Sequence, residues 1–114
     1  MPRLDAFDIT IRTGARGRSR PPHFVINGYP LEFDAHTGST EPGDVFEARG
    51  DPGSFPHSLL LAGPEEGSWD IEGVTITYYL DGEEPYTVEL GACTLDDDAD
   101  LNINHPRPAP VFDV

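Results

Sequence analysis

The chain has 114 residues, enough for one domain that buries roughly two thirds of its unfolded surface and too few for a second of ordinary size. Glycine and proline contribute 12 residues each, a turn-rich composition that leaves little room for long helices and favours an all-β fold. The formal net charge is −14 without a single lysine, and such a body repels nucleic-acid phosphate and anionic membrane surfaces, which excludes binding driven by basic charge.

The first strand is marked by Phe7, Ile9 and Ile11 alternating with Asp8, Thr10 and Arg12, and it ends at Thr13-Gly14. The following segment, Arg16 to Pro22, reads as a mobile, solvated loop by composition. His23 to Ile26 forms a short strand, Asn27-Gly28 is a turn pair, and Leu31-Glu32-Phe33 resumes alternation, so residues 23 to 36 read as a hairpin with Pro30 at a strand start or on an edge. From His36 to Gly43 the chain reads as turn material. Val45 and Phe46 open a strand that ends near Arg49, and Ser58 to Ala62 is a continuous apolar run suited to a strand in the sandwich centre.

The longest alternating pattern follows. Trp69 and Ile71 carry an odd apolar phase, whereas Val74, Ile76, Tyr78 and Leu80 carry an even one. The switch falls on Glu72-Gly73, which predicts a bulge at Gly73. Tyr86, Val88 and Leu90 form the returning strand. A two-residue loop at Asp81-Gly82 would set apolar residues against the wrong phase, so the loop has three or five residues, with Asp81-Gly82-Glu83 its minimum. The core expected from these phases is Phe7, Ile9, Ile11, Val25, Phe33, Val45, Leu59, Leu61, Trp69, Ile71, Val74, Ile76, Tyr78, Val88 and Leu90. Residues 1–114 therefore read as one two-sheet antiparallel β-sandwich of about eight strands, with a Pro-rich C-terminal segment over 105–114 in which Val111 and Phe112 return as an edge strand.

Charge is unevenly placed. Five of seven arginines lie in the first 20 residues, where only Asp5 and Asp8 oppose them, so the remaining chain carries a net −17. A surface for a basic partner and a solvated acidic surface are equally good readings of that number. The start, MPRLDAFDITI, has no apolar core of signal-peptide length, and no later run approaches membrane-spanning length, so the expectation is a soluble, cytoplasmic protein. Cys93 is the only cysteine and reads as a small buried hydrophobe at a strand end.

Phe7-Asp8-Ile9-Thr10-Ile11-Arg12-Thr13-Gly14, Gly43-Asp44-Val45-Phe46-Glu47, Ser58-Leu59-Leu60-Leu61, Gly67 to Ile76 and Pro85-Tyr86-Thr87-Val88, in that order, resemble the PLAT/LH2 (lipoxygenase homology) domains over roughly residues 7 to 95. The family's tryptophan near Thr94-Leu95 is missing, and residues 14 to 36 match only in length. The resemblance implies an eight-stranded sandwich of two four-stranded sheets, no catalysis, and binding of lipids, membranes or partner proteins, in some members with Ca²⁺.

Among groups that could carry chemistry, Asp96, Asp98, Asp100, Asn102 and Asn104 alternate as hard oxygen ligands of the kind Ca²⁺ takes. Leu101 and Arg107 break the EF-hand pattern, and a solvated acidic turn is the plain alternative. His23, His36, His57 and His105 lack ligand spacing but could cluster in space as a metal or acid–base site, with His57 the first candidate. Glu65-Glu66 and Glu83-Glu84 sit in turns where carboxylates keep ordinary behaviour, and Ser58 has no nucleophile-elbow surroundings. Trp69 reads as packing; Tyr29 and Tyr79 read as exposed contact residues. The leading expectation is thus a non-enzymatic binding module for a protein or lipid surface, Ca²⁺-assisted at its acidic segment. Its rivals are an acidic, inhibitor-like protein that engages a basic partner, and a small metal protein or enzyme using clustered histidines.

Overall fold

In the structure, a computed structural model that describes residues 3–18 and 21–105, ten strands form two antiparallel sheets without a helix. They are β1 (Leu4–Thr13), β2 (His23–Ile26), β3 (Tyr29–Glu32), β4 (Ala35–Gly38), β5 (Val45–Gly50), β6 (Leu59–Leu61), β7 (Trp69–Leu80), β8 (Tyr86–Leu90), β9 (Cys93–Leu95) and β10 (Leu101–Asn102). The larger sheet runs β4-β5-β1-β7-β8, with β9 pairing the first part of β7 beyond the end of β8; the smaller runs β10-β6-β2-β3. The count exceeds the expected eight because of short elements such as β4 and the two-residue β10.

The long central strands follow their alternation. Ile9 faces Ile76 and Ile11 faces Val74 across β1 and β7, and all four are buried. Arg12 pairs with Gly73 and Thr13 with Ile71, which leaves Glu72 as the extra residue of a bulge where the apolar phase switches. Across β7 and β8 the register sets Val74, Ile76 and Tyr78 against Leu90, Val88 and Tyr86, the apolar-to-apolar pairing that an odd loop requires. Asn27 (φ 51°) and Gly28 (φ 85°) form a two-residue turn with both central residues left-handed, the geometry that joins β2 to β3 with matching twist.

Three expectations are corrected. Val25 is only half-buried because Phe24 and Ile26 take the inward phase, opposite Leu61 and Leu59. Val45 is 44 % exposed, whereas Phe46 is buried opposite Ile11. This phase is set by the small residues that follow: Ala48 faces Ile9, and Gly50 faces Phe7, where a Cβ would stand 2.7 Å from the Phe7 ring. Residues 36–38, read as turn material, belong to β4, which pairs with β5. Phe33, Val88 and Leu90 flank the core as half-buried residues. The strand expected at Val111 and Phe112 lies outside the described residues.

Part of the core is a cluster of aromatic rings. Phe7 meets Phe24 edge-on at 5.1 Å between ring centroids, and Phe33 lies 5.2 Å from Phe24 and 5.9 Å from Phe46. Trp69 is also fully buried, and its indole N–H donates to Thr13 Oγ1 at 3.0 Å. The Tyr78 and Tyr86 rings stack at 5.0 Å, and their hydroxyls donate to the carbonyls of Ile103 and His105, which tie the chain after β10 to the sheet edge.

Candidate functional site

The registers bring four loops to one end of the sandwich. Thr13 closes β1 there, Gly38 closes β4 opposite Phe46, Trp69 opens β7, and Leu95 closes β9 opposite Trp69. Residues 14–18, 39–44, 62–68 and 96–100 therefore emerge side by side. Backbone hydrogen bonds join the first two: Thr13 N–H donates to Asp44 O at 3.1 Å, Gly43 N–H to Thr13 O at 3.1 Å, and Arg18 N–H to Thr40 O at 3.0 Å. The buried Thr40 hydroxyl returns a bond to Arg18 O at 3.0 Å. Gly63 N–H donates to Asp100 Oδ1 at 2.8 Å, and a Cβ on Gly63 would overlap the Asp96 and Ala99 carbonyls, so only glycine allows the last two loops to touch.

The arginine segment, expected to be a mobile solvated loop, is fastened instead wherever it is described. Arg16 forks onto Asp70, Nε to Oδ2 at 2.8 Å and Nη2 to Oδ1 at 3.0 Å, and Thr94 Oγ1 donates to Asp70 Oδ1 at 2.8 Å. The hydrogen bond from Arg16, then that from Thr94, hold the Asp70 carboxyl down at about 2. Asp70 N–H also donates to Arg16 O, and Gly14 N–H to Asp70 O, both at 2.8 Å. Arg18 lies over the Trp69 ring at 5.5 Å and reaches Ala62 O at 3.4 Å. Burial lowers the pKa of this guanidinium, Glu65 opposes that shift, and its Nε is buried without an acceptor.

Among the described residues, these fasteners leave mainly carboxylates on the outer surface of this end. Arg16 is neutralised by Asp70 and Arg18 is half-buried, while Glu41, Asp44, Glu65, Glu66, Asp97, Asp98 and Asp100 are exposed. Ser39 Oγ donates to Asp44 Oδ2 at 2.5 Å. Glu41, Glu66, Asp97 and Asp98 make no ion pair among the described residues. The result is an acidic surface on loops joined to one another by hydrogen bonds.

The expected Ca²⁺ ligands are distributed differently from a cation loop. Asp96 Oδ1 accepts Asp98 N–H at 2.9 Å, Asp100 Oδ1 accepts Gly63 N–H, and Asn102 Oδ1 accepts Asn104 N–H at 3.0 Å. The Asp96 and Asn102 bonds cap local backbone turns, whereas the Asp100 bond crosses to the neighbouring loop. Asn102 belongs to β10, and among the described residues no three His, Cys, Asp or Glu side chains gather as a group that could hold a metal ion. The four histidines do not gather at one point. His23 and His36 border one cleft, His57 binds through its backbone N–H to Asn27 Oδ1 at 2.6 Å, and His105 Nε2 meets Asn102 O at 2.9 Å. Tyr29 is 73 % exposed. Tyr79 is engaged instead: its hydroxyl donates to Asp8 Oδ2 at 2.8 Å and its ring lies 5.2 Å from the Arg49 guanidinium. Arg49 in turn pairs with Asp51 at 3.2 Å and Asp8 at 3.7 Å, a cross-strand lattice on the outer sheet face.

Beside the acidic end, the edges of the two sheets part. β3 and β4 are the edge strands, joined by Phe33 and Asp34, and a cleft of about 500 Å³ opens beside Pro22, Pro30, Leu31, Phe33 and His36. Among the described residues no helix is long and apolar enough to cross a membrane. Comparison of the chain with protein-family models, curated proteins and solved structures returns no match. The functional reading therefore rests on the geometry just described.

Proposed function

We propose that this protein is a non-enzymatic binding module of PLAT/LH2-like type that engages a basic protein partner through its acidic loop end. The observation that carries the reading is the fastening of Arg16 and Arg18 into the scaffold, which leaves Glu41, Glu66, Asp97 and Asp98 exposed together on loops that are already ordered. Pre-ordered loops lose little conformational freedom on association, so charge complementarity is retained as affinity and as faster encounter. A sandwich with its loops gathered at one end is also the arrangement in which loops carry recognition and the sheets carry stability. A lipid surface fits this end less well, because anionic headgroups would meet carboxylates.

The test compares two neutralised proteins of equal charge. One carries Glu41→Gln, Glu66→Gln, Asp97→Asn and Asp98→Asn; the other carries Glu47→Gln, Asp81→Asn, Glu83→Gln and Glu89→Gln, away from the loop end. Binding of a fluorescent octa-arginine peptide at about 0.1 M salt should weaken roughly tenfold or more in the first and only slightly in the second, because charges beyond a Debye length are screened. Equal weakening in both would reduce the effect to net charge and remove the loop end as a site.

A further inference from the structure

We propose that the cleft between β3 and β4 seats an apolar anchor of the same basic partner, so that the ligand is an extended peptide with a large apolar side chain next to arginine or lysine. This inference rests on the loop-end reading and adds the specificity that charge alone cannot give. Leu31 pairs with Phe24, so both lie on the core-facing side of their strands, yet Phe24 is 1 % exposed and Leu31 43 %. The larger sheet leaves Leu31 uncovered, and its edge strand β4 pairs with β5 and not with β3.

The floor of the cleft is built before any ligand arrives. Phe33 packs on the Phe24 and Phe46 rings, and His36 stacks on Phe46 at 5.4 Å with 27° between planes. Pro22 and Pro30 form stiff walls. The proline also dictates how a peptide can bind. In a two-residue hairpin the residues flanking the turn are a hydrogen-bonded pair, so Pro30, one position further on, directs its nitrogen to the free edge and has no N–H to offer. A partner cannot extend the sheet continuously at β3 and must bind through side chains, as extended peptides do in proline- and aromatic-lined grooves.

Charge complementarity identifies what flanks the anchor. The cleft passes Pro21 and His23 into a depression bordered by Glu65 and Glu66, and passes Pro21 and His36 into another bordered by Glu41, while Glu32 stands on its own rim. Arg18 lines both depressions, but it is half-buried, faces Trp69 and is opposed by Glu65. An apolar seat that opens onto carboxylates fits a peptide whose cationic residues follow its apolar one.

Two fluorescent nine-residue peptides of equal charge test this on the full chain. One carries leucine and phenylalanine beside arginines, and the other carries serines at those positions. Burial of one large apolar side chain predicts that the first binds wild type about tenfold more tightly. Leu31→Ser should abolish that preference without weakening the serine peptide, and the neutralised loop-end protein should weaken both. In the isotopically labelled wild type, the apolar peptide alone should shift the amides of Leu31, Phe33 and His36, a readout independent of whether Leu31→Ser folds. Equal affinity of the two peptides, or a preference that survives Leu31→Ser, overturns the cleft assignment while the loop-end reading stands. Peptide binding unaffected by loop-end neutralisation overturns the loop-end reading itself. Self-association relieved by Leu31→Ser would assign the cleft to a second copy of this chain and overturn the peptide proposal.

Discussion

Replacement of Thr13 by valine should destabilise the protein more than its replacement by serine. Thr13 is 1 % exposed and Trp69 0 %, and the threonine hydroxyl accepts the indole N–H at 3.0 Å. Valine preserves the shape but offers no acceptor, so the indole N–H is left buried and unpaired, at a cost of about 1–3 kcal/mol. Serine keeps the acceptor and loses one methyl group, about 0.8 kcal/mol. With an unfolding entropy of roughly 2.1 cal/mol/K per residue, a domain of this length moves about 4 °C in Tm per kcal/mol. The valine variant should therefore melt about 4–12 °C below wild type and the serine variant about 3 °C below. Trp69 is the only tryptophan, so urea melts followed by its fluorescence report on the same ring, and an unchanged m-value with a lowered midpoint identifies a native-state effect. A valine variant as stable as the serine variant would refute the claim that this bond holds the tryptophan.

Three further outcomes follow from the same contacts. Gly50→Ala should cost about 1–3 kcal/mol in a urea melt, because its Cβ would crowd Phe7 and Phe24 in an already filled aromatic cluster. Asp70→Asn should lower stability at pH 7; since the folded carboxyl is depressed from 3.8 to about 2, the stabilisation is complete above the ordinary value and is lost as pH falls through about 2, so wild-type and variant melts should converge in that acid window. Tyr78→Phe should leave the Ile103 carbonyl without its buried donor and cost about 1 kcal/mol. Burial raises the Tyr78 phenol above its ordinary 10.0, so its contribution is full below pH 10 and fades at higher pH; the variant should lack that alkaline loss in a pH series of melts.

The strands with two or more alternating apolar pairs were legible in the sequence. β1, β7 and β8 each carry enough apolar positions to define a phase, and the phase conflict at Glu72-Gly73 leads to the observed bulge. Short strands with adjacent apolar residues were ambiguous. Val45-Phe46 and Phe24-Val25-Ile26 permit either face, and the decision lies with partners far along the chain, Phe7 against Gly50 and Leu59 and Leu61 against β2. β4 carries almost no apolar signal because all four residues are exposed on an edge. The acidic end was legible only as a charge imbalance. Which loops share that end depends on strand order, and the role of Arg16 depends on Asp70, 54 residues later, which composition cannot disclose.

The central claim is that the acidic loop end is the binding surface. Its most direct measurement is an amide chemical-shift titration of the wild-type protein with octa-arginine at about 0.1 M salt, where charges more than roughly 10 Å apart are screened. The account predicts that the largest shifts fall on Glu41, Glu66, Asp97, Asp98 and their neighbours, and that the Asp81-Gly82-Glu83 turn, equally exposed and acidic, moves little. Shifts spread evenly over both acidic regions, or centred on that turn, would contradict it.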